Sequence, residues 1–137
     1  KYNYLSTWKK FAKNCINHSL QLNFEINRIL KSKVKPVAYG ASARSSTMLN
    51  FSKISNNHIS HIIDKNKLKD GYFTAGSNIK IISYKKDKKN FSKYKWIIIL
   101  AWNFKNEIIK DLKSNGFKGK MLIPLPSIKL INENKKN

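Results

Sequence analysis

From Trp96 the chain reads Trp-Ile-Ile-Ile-Leu-Ala-Trp, seven apolar residues without a break. No other feature limits the fold as much. The run is far short of the roughly 20 residues that span a bilayer. Its β-branched centre, Ile97-Ile98-Ile99, favours extended backbone. An extended run without polar alternation is buried on both faces, as a central strand of a parallel sheet is. Parallel neighbours need long crossover connections, usually helices, so this run predicts helices on both faces of a sheet.

The flanking sequence supplies those parts. Trp8, Phe11, Cys15, His18, Leu22, Ile26 and Ile29 recur at three- and four-residue steps, and no Gly or Pro intervenes before Pro36. That spacing predicts one long amphipathic helix over residues 1–34. It reads as a helix covering a sheet or as a docking helix; the polar positions lack the alternating charge of a coiled coil. On this stripe Cys15 reads as a buried, inert thiol and His18 as a packed histidine. After Pro36 the period changes. Val37-Ala38-Tyr39 predicts a strand ending at Gly40, and a helix starts near Ser42 or Ala43. Residues 59–63 predict a second strand, ending at Asp64, and residues 65–77 are turn-rich. Residues 79–82 make a short extra strand, and lysine-rich residues 85–93 a solvated loop or frayed helix. Residues 96–100 form the central strand, and residues 104–114 a helix with Ile108, Ile109 and Leu112 inward. Gly116 and Gly119 end it. Met121-Leu122-Ile123 is the last strand, stopped by Pro124 and Pro126, and residues 132–137 are a frayed polar tail. The expectation is a single α/β domain with a Rossmann-like parallel sheet of four to five strands over residues 35–131, with right-handed crossovers.

Composition narrows the partners. A chain of 137 residues with 41% hydrophobic content builds one core. The formal net charge is +21, and of the 28 basic residues only Arg28 and Arg44 are arginine. A basic chain attracts phosphate through counterion release. Nucleic-acid readers also use the arginine fork, however, and these lysines run from Lys1 to Lys136 rather than along one stripe. Nucleic acid is therefore not the favoured ligand. One cysteine rules out a disulfide framework and a cysteine-built zinc site. No signal-peptide pattern is visible, and a cytoplasmic location without membrane attachment is expected. The chain begins with lysine, which fits a processed chain or an excised piece.

Open parallel sheets bind ligands beyond the carboxyl ends of their strands. Gly40-Ala41-Ser42-Ala43-Arg44-Ser45-Ser46-Thr47 follows the first strand. It reads as a phosphate-friendly loop and helix N-terminus, or as an ordinary tight turn with a serine cap. Only one glycine of the dinucleotide fingerprint is present. Asp64 is either a ribose acceptor or the cap of the Asp64-Lys65-Asn66 turn. After the central strand, Trp102 stacks on a base or sugar or belongs to the core; Asn103 bonds a polar edge or caps a helix. The carboxylates Glu25, Asp64, Asp70, Asp87, Glu107, Asp111 and Glu133 are scattered, and His58 and His61 flank the wrong end of the second strand. No catalytic set and no metal spacing stand out.

VAYGASARSSTMLN, HIIDKNKLKDGYFTAGSNIKI, WIIILAWNF and GKMLIPLPSIKLI occur in this order, from Val37 to Ile131. Together they resemble the C-terminal domain of bacterial sugar C-methyltransferases, enzymes that methylate a carbon of a nucleotide-linked deoxyketosugar with S-adenosylmethionine. The preceding long helix also fits. The family loop commonly reads Gly-Tyr-Gly-Ala-x-Ala-Lys-Gly-Asn-Thr. Here Ala38 replaces its first glycine, Arg44 stands at the lysine, and Ser45-Ser46 replace Gly-Asn. The stretch over residues 70–79 lacks the family's prolines, with Ala75 at one such position. The resemblance implies that a zinc-binding N-terminal domain and a central domain holding S-adenosylmethionine belong to the parent enzyme. It implies that this part positions a TDP-sugar-like substrate and lacks the catalytic base. On this reading Gly40, Ala41, Ser42 and Arg44 lie near phosphate, and Tyr72, Trp102, Asn103 and Asp64 contact nucleotide or sugar. Two rival readings are a stand-alone nucleic-acid-binding protein and a docking module built on the first helix.

Overall fold

A computed structural model describes residues 4–132. Helix α1 (Tyr4–Leu30) leads into strand β1 (Val37–Tyr39) and helix α2 (Ala43–Phe51). Strands β2 (Ile62–Asp64) and β3 (Ile81–Ser83), helix α3 (Tyr84–Asp87), strand β4 (Trp96–Ile99) and helix α4 (Lys105–Ser114) follow. Strands β5 (Lys120–Ile123) and β6 (Lys129–Asn132) complete one sheet, in the order β3-β2-β1-β4-β5-β6. Pairing is parallel from β3 to β5, and β6 runs antiparallel to β5.

Strand alternation divides the core into two layers. Ala38, Ile62, Ile98 and Leu122 point to one face, where Leu22, Ile26 and Ile29 of α1 and Leu49 of α2 cover them. Val37, Ile63, Ile97, Ile99 and Met121 point to the other, under Phe91, Ile108 and Leu112. The central strand is buried on both faces, as its composition requires. Among the described residues no helix is long and apolar enough to cross a membrane.

Several details differ from expectation. The parallel part of the sheet has the five strands expected, and a sixth, antiparallel strand adds to it. The sixth, β6, is mostly exposed, pairs with the free edge of β5 and packs Ile131 against the core, so its own sequence carries little strand pattern. Strand β2 starts at Ile62 rather than residue 59, because the Ile59 N–H bonds the Ser55 carbonyl and ends a turn there. Strand β3 likewise starts at Ile81 rather than residue 79. Of the two readings of residues 85–93, the helical one holds and the solvated loop does not. These residues form the end of α3 and a 3-10 stretch over Lys88–Lys93, with Asp87 and Phe91 buried. Helix α1 covers the sheet with its C-terminal half alone; Trp8 and Phe11 are exposed and Cys15 is only half-buried. His18 is half-buried, and its Nε2 donates to the Pro124 carbonyl at 2.6 Å. The frayed tail predicted over residues 132–137 lies, beyond Asn132, outside the described residues.

Candidate functional site

Strands β1 and β4 are neighbours, yet their chains leave in opposite directions, β1 toward β2 and β4 toward β5. A crevice opens where such exits diverge. The two exits touch at its floor. Leu100 and Ala101 both donate their N–H to the Tyr39 carbonyl, at 2.9 and 3.2 Å. Gly40 has φ +99°, and a Cβ there would lie 2.7 Å from the Ala101 Cβ. Glycine is required here by backbone conformation and by the close approach of β4's exit.

Beyond Gly40 the loop is held by its own chain. The Ala41 N–H donates to Asp64 Oδ2 at 2.8 Å, and Lys69 Nζ donates to the Ala41 carbonyl at 2.5 Å. Lys69 Nζ also lies 3.6 Å from Asp64 Oδ2. The remaining Asp64 oxygen accepts from the Asn66 N–H, closing its own turn. Asp64 thus does the work of a turn cap, and both hydrogen-bonding groups of Ala41 are engaged. Ser42 caps α2: its Oγ accepts from the Ser45 N–H while its own N–H donates to Ser45 Oγ. The cap leaves the N–H groups of Ala43 and Arg44, in the first helical turn, pointing out of the helix end. Arg44 is exposed, and among the described residues no carboxylate pairs with it. Arg28, in contrast, holds Glu25 at 2.7 Å.

Two hollows flank the crevice. One, of about 390 Å³, is lined by Ser42, Arg44, Trp102, Asn103 and Phe104. The other, of about 380 Å³, is lined by Tyr39, Gly40, Asp64, Lys65, Phe104 and Glu107. Ala101 and Phe104 border both, so the two form one two-part cleft. Each falls within the size range of small-ligand sites. The first is cationic, through Arg44 and the dipole end of α2. The second offers Asp64, Lys65 and Glu107 as polar groups, with Lys65 Nζ 5.1 Å from the centre of the Tyr84 ring. At its edge the Tyr39 hydroxyl is buried with no hydrogen-bond partner among the described residues. Burial first, and then the nearby Asp111, Tyr84 and Asp64, push that phenol well above its ordinary value.

The fold therefore gathers Gly40, Ser42, Arg44, Asp64, Trp102 and Asn103 around one cleft, with Ala41 buried behind it. Tyr72 is not brought there. It is exposed and lies beside β3, where its carbonyl accepts from the Ile81 N–H. Asn103 is not the cap of α4; that position is Phe104, which makes no side-chain cap bond. Trp102 is half-buried and packs against the α4-side core while lining the first hollow. Sequence reasoning missed Tyr39, Lys65, Phe104 and Glu107. Lys65 directly follows β2, and Phe104 and Glu107 belong to the first turn after β4, so the same strand-end logic reaches them. At the opposite, amino-terminal end of the strands, His61, Tyr94 and Asn90 surround the buried Asp87 carboxylate. Among the described residues no three His, Cys, Asp or Glu side chains converge to hold a metal.

No curated protein matches the chain. A family model for the C-methyltransferase C-terminal domain matches residues 1–126, which takes in α1 as well as the sheet up to the exit of β5.

Proposed function

The chain belongs to the C-methyltransferase C-terminal domain family, and from that premise we propose that it is the substrate-holding part of a cytoplasmic sugar C-methyltransferase. It binds a TDP-linked deoxyketosugar in the cleft between the exits of β1 and β4. The observation that carries this reading is Arg44, a cation without a carboxylate partner among the described residues, at the first turn of α2 on the wall of a two-part cleft. The diphosphate rests on Arg44 and on the N–H groups of Ala43 and Arg44. The second hollow, with Asp64, Lys65 and Glu107, suits a hydroxyl-bearing group. Trp102, in the first hollow, and Phe104, between the two, offer aromatic faces.

The role is positioning. Fixing the sugar relative to a methyl donor converts an encounter between two ligands into a reaction within one complex. S-adenosylmethionine, in a central domain of the parent enzyme, supplies the methyl group, and zinc belongs to an N-terminal domain. No residue of this chain is assigned a proton transfer.

Calorimetric titration with TDP and a TDP-sugar, at low and high salt, tests the reading, with random DNA as control. Saturable nucleotide binding is expected. A charge-assisted contact contributes about 1.5–3 kcal/mol, so Arg44→Ala should weaken binding roughly 10- to 100-fold. DNA binding with no nucleotide binding at millimolar concentration would reject the proposal.

A further inference from the structure

Helix α1 carries an apolar stripe of which the molecule covers half. Trp8, Phe11, Cys15, Leu22, Ile26 and Ile29 share one face by helical spacing. Leu22 and Ile26 are fully buried on the sheet, whereas Trp8 is 63% and Phe11 58% exposed. The helix cannot simply settle further, because His18 is tied to the Pro124 carbonyl at the end of β5. The uncovered half instead forms one wall of a groove of about 880 Å³. Met48 and Phe51 of α2 form the facing wall, and Leu125 and Pro126 lie between. Arg44 and Trp102 line both this groove and the first hollow, so the groove runs into the ligand cleft.

Shape and charge together select the occupant. A concave trough between two helices fits a protruding apolar ridge better than a flat bilayer surface. The only side chain lining it that always carries charge is Arg44. Helix α1 has Lys9, Lys10 and Lys13 and no acid before Glu25, and Glu25 is held by Arg28. The chain as a whole carries +21. A second copy would bring like fields together, and an acidic partner would meet an opposite one. We infer that the groove receives an acidic amphipathic helix of a partner polypeptide, its apolar side chains between Trp8, Phe11, Met48 and Phe51 and its carboxylates on the outward side, in the field of the chain's net positive charge. Seated there, the helix walls the ligand cleft on its α2 side.

The full chain is titrated into a labelled helical peptide of leucine and glutamate, about five turns long, with anisotropy as the signal. The controls are its leucine–lysine twin and vesicles rich in phosphatidylserine. The acidic peptide is expected to bind saturably at micromolar concentration and the lysine twin at least tenfold more weakly. Trp8→Ser with Phe11→Ser should weaken the acidic peptide at least tenfold and leave the thermal midpoint and TDP binding unchanged. Phe51→Glu, on the facing wall, should weaken the acidic peptide and strengthen the lysine twin. The inference is overturned if the acidic peptide does not bind or the lysine twin binds equally. It is also overturned if the double variant binds unchanged, if vesicles are preferred, or if sedimentation shows a dimer that Trp8→Ser dissolves. Loss of TDP binding alone would reject the substrate proposal and leave this one standing.

Discussion

Gly40 and Arg44 are four residues apart and meet opposite demands. At Gly40 the backbone sits at φ +99°, and the space for a Cβ is taken by Ala101. A non-glycine residue in that conformation costs about 1–3 kcal/mol. Overpacking against Ala101 adds a similar amount. Gly40→Ala is therefore expected to lower unfolding stability by at least about 2 kcal/mol in urea titration. An unchanged midpoint would mean that the two exits do not hold each other. Arg44, by contrast, is exposed and without a carboxylate partner among the described residues, so its replacement should leave the midpoint alone and change ligand affinity. Between them, Asp64 and Lys69 engage the Ala41 N–H and carbonyl. Asp64 acts on the site by fixing the loop that carries Ser42 and Arg44.

At the scale of the element, the connection from β3 to β4 shows how a lysine-rich segment becomes core. Its residues 85, 86, 88, 89 and 93 are exposed lysines, while Asp87 and Phe91 turn inward. The Asp87 carboxylate accepts from His61 Nε2 at 2.8 Å, the Tyr94 hydroxyl at 2.6 Å and Asn90 at 3.1 Å. Burial alone would raise its pKa. The hydrogen bonds from His61, Tyr94 and Asn90 outweigh burial and hold the carboxyl below its ordinary value. A carboxyl lowered in the folded state stabilises the fold above its unfolded pKa, about 3.9. That contribution is lost as pH falls through the folded value. Unfolding stability should decline below about pH 4, and Asp87→Asn should flatten part of that decline. Tyr94→Phe removes a hydrogen bond to a buried charge and should cost about 1.5–3 kcal/mol near neutral pH. Denaturant midpoints across the acid range measure both effects. A decline as steep in Asp87→Asn as in the parent would assign the acid sensitivity to Asp70, whose carboxyl is lowered by Lys86 and the Ser83 N–H.

The whole molecule carries its charge almost entirely as dispersed lysine. Self-repulsion of that charge opposes the compact state, and salt screens it over a Debye length of about 10 Å at 0.1 M. The thermal midpoint is therefore expected to rise by a few degrees from about 0.02 to about 0.5 M sodium chloride. Nucleotide binding through Arg44 should weaken over the same range. A midpoint insensitive to salt would show that the lysines are too far apart to destabilise the fold.

The apolar runs by themselves determined the layered α/β fold. Residues that must be buried on both faces of a strand leave no other architecture open, and the Pro and Gly positions mark where those strands stop. The strand-end rule also located most of the cleft, because Gly40, Ser42, Arg44, Trp102 and Asn103 follow β1 and β4 directly. Other features depended on contacts between distant segments. Strand β6 exists because β5 offers a free edge. Tyr72 lies away from the cleft because β3 pairs at the outer edge of β2. Asp64 turned out to cap its own turn and hold Ala41, since Lys69 comes within reach only in the folded chain. The periodicity of α1 fixed which face is apolar. How far along the helix that face is covered depended on where the sheet ends, and the sheet ends before Trp8.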